Sequence, residues 1–188
     1  IINSKIIGST SDDGANIRDS YVEISNTLFI NNKFDQLDLD FCNGKIFNNI
    51  FKANKNLEIK NNDERNFNGD GIDLSGSNII IRDNKISNFK DKGLSVGEKS
   101  KALIVQNYFD NNEIAIAIKD ESISYSTNNE YSNNYTNYSM YIKKFIFDKP
   151  ILYLNKNDYV NEELIDLSKK FETDNGIINL IDKSNQKK

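Results

Sequence analysis

The sequence of 188 residues contains no histidine, no tryptophan and one cysteine, Cys42. Without histidine, no mechanism can use an imidazole as a base or as a metal ligand. A single thiol supports neither an internal disulfide nor a thiolate zinc site. No run approaches the roughly 20 apolar residues of a membrane span, so we expect no membrane insertion.

Basic residues are too few for a binder of polyanions. The chain has 24 Lys and Arg against 28 Asp and Glu, for a formal net charge of -4. Strong nucleic-acid binding needs clustered cations that neutralise phosphate, so no nucleic-acid partner is expected. The first residues, IINSKIIGST, include neither an initiator Met nor a signal-peptide layout. We therefore expect a domain excised from a parent protein, whose other domains are partners.

Asparagine and isoleucine are abundant instead, with 31 and 27 copies, and they recur at a fixed spacing. Asn84, Asn107 and Asn129 lie 23 and 22 residues apart. Two apolar series share the 22-residue period: Ile72, Leu94 and Ile116, and Leu74, Val96 and Ile118. Because the two series alternate with other residues, they indicate short strands with one buried face, stacked as a solenoid.

The residue types decide which solenoid is predicted. Leucine-rich repeats require Leu at most core positions, and helical repeats need longer amphipathic stretches, so neither fits. A parallel β-helix fits, because its coils stack about 4.8 Å apart and Asn side chains can bond from coil to coil as a ladder. The sequence therefore predicts an all-β solenoid of 22-residue coils over residues 1–145. The alternative is that the Asn content reflects only a compositional bias.

Two stretches depart from the repeat. Leu39 and Phe41 match Ile72 and Leu74 at a spacing of 33, which is one coil plus about 11 residues. We assign the excess to a polar insertion near residues 54–66, which should protrude as a loop.

The C-terminal part of the chain has a different pattern. Residues 146–182 are predicted to add flanking strands and a short helix, EELIDLSKKF, after Asn161. This helix either caps the exposed end of the last coil or packs against another domain. Residues 183–188 are predicted to be a disordered tail.

Acidic side chains are predicted on the outer face of one strand column. Its outward positions are Asp38 and Asp40 in one coil, Asp73 in the next, and then Ser95 and Ala117. Carboxylates stacked about 5 Å apart repel by roughly 3 kcal/mol at an effective dielectric near 20. A bound cation, a Lys or Arg partner, or a proton held by a raised pKa must offset this repulsion. The alternative is a solvated acidic surface.

The turn before this strand carries three more charged residues, Asp70, Asp91 and Lys92. By register, Lys92 is the nearest partner for the stacked acids. If a metal binds, several carboxylates without His or Cys favour calcium. The predicted calcium ligands are Asp38, Asp40, Asp70 and Asp73.

The segment NFNGDGIDLSGSNIIIRDNKISNFKDKGLSVGEKS resembles the right-handed parallel β-helix superfamily of pectate lyases, polygalacturonases and alginate epimerases. The resemblance covers about residues 20–145 and implies right-handed coils. It also implies a secreted or cell-surface protein that meets polysaccharide. The chain is similar, too, to uncharacterised bacterial β-helix domains with a DxDF strand followed by GDGIDLSGS and DKGLSVGEKS coils.

The catalytic motifs of polygalacturonases are only partly matched. Asn68, Gly69 and Asp70 look like the family's Asn-Thr-Asp tripeptide, and Asp91 lies where a pair of aspartates is expected. Lys92 occupies the second position of that pair. The family's Gly-His-Gly and Arg-Ile-Lys motifs are missing. Hydrolysis by two carboxyl groups would therefore rest on Asp70 and Asp91 alone.

Three functions remain open. The first is a non-catalytic domain that faces a polysaccharide or surface glycan, with Tyr125, Tyr131 and Tyr135 among the sugar contacts. The second is a calcium-assisted lyase or epimerase of uronic acid polymers, with Lys92 as the general base. A lysine base needs a lowered pKa, which nearby carboxylates oppose. The third is a purely structural module.

Overall fold

In the computed structural model, the described residues are 1–10, 12–53, 69–155, 171–173 and 176–181. They form 20 strands and no helix. Sheet 1 contains β2 (Asn16–Arg18), β5 (Leu37–Asp40), β8 (Ile72–Ser75), β11 (Lys92–Gly97), β14 (Ile114–Lys119), β17 (Thr136–Tyr141) and β19 (Phe171–Thr173). Sheet 2 contains β3 (Tyr21–Ser25), β6 (Asn43–Phe47), β9 (Asn78–Arg82), β12 (Lys101–Val105), β15 (Ile123–Thr127), β18 (Ile151–Asn155) and β20 (Ile177–Ile181). Sheet 3 contains β1 (Lys5–Ile7), β4 (Leu28–Ile30), β7 (Ile50–Lys52), β10 (Lys85–Ser87), β13 (Tyr108–Asp110) and β16 (Glu130–Ser132).

From β1 to β18, the chain passes through the three sheets in a repeating order, from sheet 1 to sheet 2 to sheet 3, and then begins the next coil. Every strand pairs in parallel with the equivalent strand of the neighbouring coil. The six strands of sheet 3 mark six turns of this solenoid. The predicted parallel β-helix is therefore confirmed.

The predicted 22-residue period is also confirmed in the core. In sheet 1, Leu74 is the register partner of Val96, and Val96 is the partner of Ile118. All three side chains are fully buried in one continuous apolar core. Burial of Ile, Leu, Val and Phe from all three sheets is the main stabilising contribution to the stack of coils.

Asparagine stabilises the turns between sheets 2 and 3 in two ways. The first residue of each turn has a left-handed backbone, which Asn and Asp tolerate better than other residues that carry a β-carbon. These first residues are Asn26, Asn48, Asp83, Gln106 and Asn128. The second way is the predicted ladder: Asn84 Nδ2 donates to Asn107 Oδ1 and Asn107 Nδ2 to Asn129 Oδ1, each over 3.0 Å.

Two further ladders were not predicted. Between sheets 1 and 2, the hydroxyls of Ser100 and Ser122 accept the backbone N–H groups of Ser77 and Ser100, at 3.0 and 3.2 Å. Between sheets 3 and 1, Asn112 Nδ2 donates to Asn134 Oδ1 over 2.9 Å. All three corners of the coil are therefore tied by side chains to the corner of the next coil.

The predicted register of the earlier coil was wrong by two residues. Leu37 pairs with Ile72 and Leu39 with Leu74, so the spacing is 35 rather than 33. Phe41 lies in the turn that follows, with a φ of 54°, and it is 53% exposed. A shift of two residues keeps every side chain on its own face of the strand, so alternation alone did not reveal the error.

Several predictions fall on residues that the structure does not describe. The polar insertion near residues 54–66 and the tail at 183–188 lie outside the described residues. So does the predicted helix, except for its last residue, Phe171, which begins β19. Beyond residue 145, β18 continues sheet 2 by pairing with β15. In the described parts of the chain, no helix has the length and apolar character to span a bilayer.

Candidate functional site

Three columns of side chains lie on the outer face of sheet 1, and together we call them the outer platform. The middle column alternates with core residues along each strand and consists of Asn16, Asp38, Asp73, Ser95, Ala117 and Ser139. The lateral column, two residues further along each strand, consists of Arg18, Asp40, Ser75, Gly97, Lys119 and Tyr141. The corner column, where the chain enters sheet 1, consists of Asp13, Asp35, Asp70 and Lys92.

Small side chains fill the middle column in the later coils of the outer platform. Ser95, Ala117 and Ser139 follow one another in the middle column, and each is at most 3% exposed. Gly97 lies beside Ser95, and Lys119 extends over it: a β-carbon on Gly97 would lie 3.2 Å from Lys119 Cε. Charged side chains therefore border a strip of small residues.

Lys92 lies between two carboxylates at the corner of the platform. Its Nζ is 3.2 Å from Asp70 Oδ1 and 2.6 Å from Asp91 Oδ2, and its side chain is only 11% exposed. Burial lowers the pKa of Lys92, but Asp70 and Asp91 more than offset this effect and the net pKa lies above the ordinary value. Lys92 therefore pairs with acids of the entering turn, whereas the predicted partners in the strand column, Asp40 and Asp73, lie beside Arg18 and Lys119 instead.

The corner column forms a ladder of carboxylates that accept backbone N–H groups. Asp13 Oδ1 accepts the N–H of Asp35 over 3.0 Å, and Asp35 Oδ1 accepts that of Asp70 over 2.6 Å. Asp70 Oδ1 accepts the N–H of Lys92 over 3.1 Å. Burial and then the charge of Asp70 raise the pKa of Asp35 to about 8, and burial raises the pKa of Asp70 to about 6.

Like charges stack in the middle column, but in a different pair from the one that a spacing of 33 implies, because Asp40 lies opposite Ser75 and not opposite Asp73. Asp38 and Asp73 are register partners in β5 and β8. Burial, followed by the charges of Asp40 and Asp73, raises the pKa of Asp38 to about 7. The other acids have cationic neighbours: Arg18 Nε is 3.2 Å from Asp40 Oδ2, and Lys119 Nζ is 3.9 Å from Asp73 Oδ1. The repulsion among these carboxylates is therefore offset in two ways: by ion pairs at Asp40 and Asp73, and by the raised pKa of Asp38, which favours its protonated form.

A family model for right-handed β-helix regions matches residues 1–144 of this sequence. The chain belongs to the right-handed β-helix family. This membership confirms the predicted handedness of the coils. No curated protein and no solved structure matched the chain. The function of this β-helix is therefore argued from the chemistry of its outer platform.

The four predicted calcium ligands of the β-helix do not converge on one point. Asp40, Asp70 and Asp73 each have a cationic neighbour of their own, and Asp38 Oδ2 accepts a hydrogen bond from Asn16. Among the residues that the structure describes, no three Asp, Glu or Cys side chains are grouped as a metal site requires. This donor set does not fit a resident cation, and calcium binding stays a prediction.

Lys119 and Tyr141 are among the members of the platform that sequence reasoning missed. Both follow from the period, because positions 97, 119 and 141 lie 22 residues apart. The column of Asp73 continues to Ala117, whereas Lys119 lies in the neighbouring column, two residues further along β14. The side chain of Lys119 is 6% exposed, and burial raises the pKa of Tyr141.

The three tyrosines predicted to contact sugars are not brought together. Tyr125 lies on the outer face of sheet 2, where its ring stacks on Tyr153 with centroids 4.5 Å apart. Tyr131 packs against the core and stacks on Phe109 with centroids 5.6 Å apart. Tyr135 lies in the turn before β17 and is 70% exposed. None of the three belongs to the outer platform.

Proposed function

We propose that this β-helix is a non-catalytic polysaccharide-binding domain of an exported protein and that its outer platform contacts the sugar chain. The supporting observation is the set of Lys and Asp side chains that border the buried strip of small residues on successive coils of sheet 1. An extended polymer can lie across such a surface and find a repeated set of hydrogen-bonding groups. Export to the cell surface or beyond rests on the resemblance to polysaccharide-active β-helix proteins.

The state of Lys92 argues for binding rather than catalysis. A general base must be deprotonated near neutral pH, whereas two carboxylates hold Lys92 as an ammonium. Asp70 is also engaged, because its Oδ1 accepts from both the backbone N–H and the Nζ of Lys92. The groups predicted for a lyase or a hydrolase therefore neutralise one another. We expect no ultraviolet absorbance from unsaturated sugars when pectate or alginate is incubated with the domain and calcium.

The proposal is tested by blocking the platform without disturbing the core. Ser75 is partly exposed on the outer face of sheet 1, between Asp40 and Gly97, and Asn78 is exposed on sheet 2. We expect Ser75→Trp to abolish binding to a panel of neutral and acidic hexasaccharides in calorimetric titrations. The matched variant Asn78→Trp should bind like the wild type.

Two results would refute this function. If no hexasaccharide of the panel binds the wild-type domain, the purely structural alternative gains support. If Ser75→Trp and Asn78→Trp bind equally well, the sugar contacts lie elsewhere on the β-helix. Circular dichroism melting of both variants verifies that they fold.

A further inference from the structure

Two consecutive apolar side chains are exposed at the corner between sheets 1 and 2. Phe145 is 96% exposed and Ile146 is 71% exposed. They are the central residues of a turn, because the N–H of Phe147 donates to Lys144 O over 3.0 Å. We call residues 144–147 the apolar turn. Large apolar side chains exposed side by side are typical of an interaction surface.

The backbone of the apolar turn is held by contacts with the coils beneath it. Asp120 Oδ1 accepts the N–H groups of Lys143 and Lys144, at 2.6 and 2.8 Å. Lys144 Nζ also forms an ion pair with Glu98. Phe145 and Ile146 are therefore presented on a fixed backbone, so a partner that covers them has little backbone entropy to remove.

The outer face of sheet 2 carries a second apolar feature. Ile80, Leu103 and Tyr125 are register partners on β9, β12 and β15, and each is 40% to 46% exposed. We call these three residues the apolar column. Tyr153 on β18 extends it, because its ring stacks on that of Tyr125. A sheet with one face in the core normally has polar residues on the other face, so this column indicates a second covered surface.

The apolar turn and the apolar column border each other. After the turn, the chain passes through Pro150 into β18, the strand that carries Tyr153. Lys99 Nζ lies 5.9 Å from the centroid of the Phe147 ring, and β12, which carries Leu103, begins two residues after Lys99. The turn therefore lies along the edge of sheet 2 at which the strands of the column begin.

Charge favours a second copy of this chain as the partner. In a twofold dimer the same face of each copy meets, so an unpaired charge on that face would meet its own sign. The apolar column carries no charge. The residues that precede it along the same column, Lys45 and Glu23, neutralise each other with Nζ and Oε2 3.1 Å apart. Two identical sheet 2 faces can therefore approach without repulsion.

An anionic lipid surface fits the apolar turn less well. Such a surface attracts an excess of cations beside the apolar side chains. Around the turn, however, the lysines are matched by an equal number of acids: Lys99, Lys143, Lys144 and Lys149 against Glu98, Asp120, Glu121 and Asp148.

The area of this surface sets the strength that we expect. With roughly 200 Å² for a fully exposed large side chain, the turn and the column present roughly 550 Å² per copy and roughly 1,100 Å² in a dimer. Specific interfaces bury about 1,200 to 2,000 Å² in total. The association should therefore be weak and depend on concentration.

We propose that two copies of this β-helix associate through the outer faces of sheet 2, each burying its apolar column and its apolar turn against the other. One chain supplies both features, so a twofold contact uses each of them twice. The contact does not involve the outer platform on sheet 1, and the inference does not rest on the proposed function.

Sedimentation equilibrium of the 188-residue chain measures the association. We expect the weight-average mass to rise toward twice the mass of one chain over roughly 5 to 500 μM, as mass action requires of a weak dimer. The dimer should be at least as stable at roughly 0.5 M salt as at roughly 0.1 M, because salt screens charges and not apolar contacts.

The apolar turn is tested with two matched aromatic variants. Phe145→Ser should raise the dissociation constant of the dimer at least about tenfold, because a twofold interface loses the side chain twice. Tyr135→Ser is the control, since Tyr135 is 70% exposed in the turn before β17, at the corner between sheets 3 and 1. It should associate like the wild type.

The apolar column is tested with two matched aliphatic variants. Leu103→Ser should raise the dissociation constant at least about fivefold, again because both copies lose the side chain. The control is Ile7→Ser, which removes an apolar side chain that is 57% exposed on sheet 3, and it should have no effect. Melting curves of all four variants verify that the coils remain folded.

Several outcomes would overturn the dimer. One is a wild-type chain that stays monomeric at roughly 500 μM, above the range expected for an interface of this size. Others are equal weakening by Phe145→Ser and Tyr135→Ser, or unchanged association of Leu103→Ser, since either places the contact elsewhere. Cosedimentation with phosphatidylserine vesicles that is lost in Phe145→Ser would instead assign the turn to a lipid surface.

These measurements contain no sugar. Failure of the dimer therefore leaves the proposed function standing, and a chain that binds no hexasaccharide leaves the dimer standing.

Discussion

At the scale of single residues, Asp35 is the platform carboxyl most affected by its surroundings. Burial, followed by the charge of Asp70, raises its pKa from 3.8 to about 8. Smaller contributions come from Asp73 and Asp13. In the unfolded chain, Asp35 ionises above about pH 4, while the folded protein keeps it protonated until about pH 8. The stability contributed by protonated Asp35 is therefore present at pH 4 and lost as the pH rises to 8.

We predict that Asp35→Asn stabilises the domain at neutral pH. The amide oxygen can still accept the N–H of Asp70, and no charge is buried. The gain in unfolding free energy should be near zero below pH 4 and reach at least about 1 kcal/mol at pH 8. Urea denaturation across this range measures it, with exposed Asp12→Asn as the control. A loss of stability at pH 8 would show that ionised Asp35 is favoured in the fold.

Removing the charge of Lys92 should destabilise the domain, because this charge balances the buried carboxylate of Asp70. Lys92→Met leaves the buried Asp70 carboxylate without its cation and should cost about 3 kcal/mol in unfolding free energy. The double variant Asp70→Asn with Lys92→Met should recover most of this loss, since the buried carboxylate is removed and the remaining acid, Asp91, is 33% exposed to solvent. Urea denaturation at pH 7 tests both. Equal stability of the single and double variants would show that the two side chains are not coupled.

At the scale of elements, the asparagine ladder joins turns that are distant in sequence. Asn107 Nδ2 donates to Ile81 O, Val105 O and Asn129 Oδ1, and its Oδ1 accepts from Asn84. Asn107→Ala should therefore cost about 3 kcal/mol, because several buried partners lose their hydrogen bonds together. Asn78→Ala, at an exposed strand position, should change thermal stability little. A melting temperature unaffected by Asn107→Ala would rule out a structural role for the ladder.

The repeat also explains which elements were predictable. Asn84, Asn107 and Asn129 were placed correctly because each coil adds 22 or 23 residues and leaves the turn unchanged. Phe41 was misplaced because the coil after it exceeds the 22-residue period by 13 residues rather than 11. The alternation of buried and exposed positions is the same after a shift of two residues, so it does not reveal the error.

The chemistry of the site was less predictable than the fold. The pairing of Lys92 with Asp70 followed from register. The buried oxygens of Asp73 and Ser95 that lack a hydrogen-bond partner among the described residues did not, because hydrogen-bond satisfaction depends on side-chain conformation, which the period does not determine.

At the scale of the whole molecule, the β-helix offers different chemistry on different faces. The outer platform of sheet 1 combines small residues with Asp and Lys. The outer face of sheet 2 instead exposes a column of Ile80, Leu103 and Tyr125, each at least 40% exposed. Tyr141 belongs to the first face and Tyr125 to the second. A ligand on sheet 1 should therefore protect Tyr141, and a ligand on sheet 2 should protect Tyr125.

Hydroxyl-radical footprinting with mass spectrometry measures both tyrosines in one experiment, with and without a saturating amount of the best-binding hexasaccharide. Binding at the outer platform predicts that oxidation of Tyr141 falls while oxidation of Tyr125 is unchanged. Protection of Tyr125 with Tyr141 unchanged would contradict the proposed function and place the sugar on sheet 2.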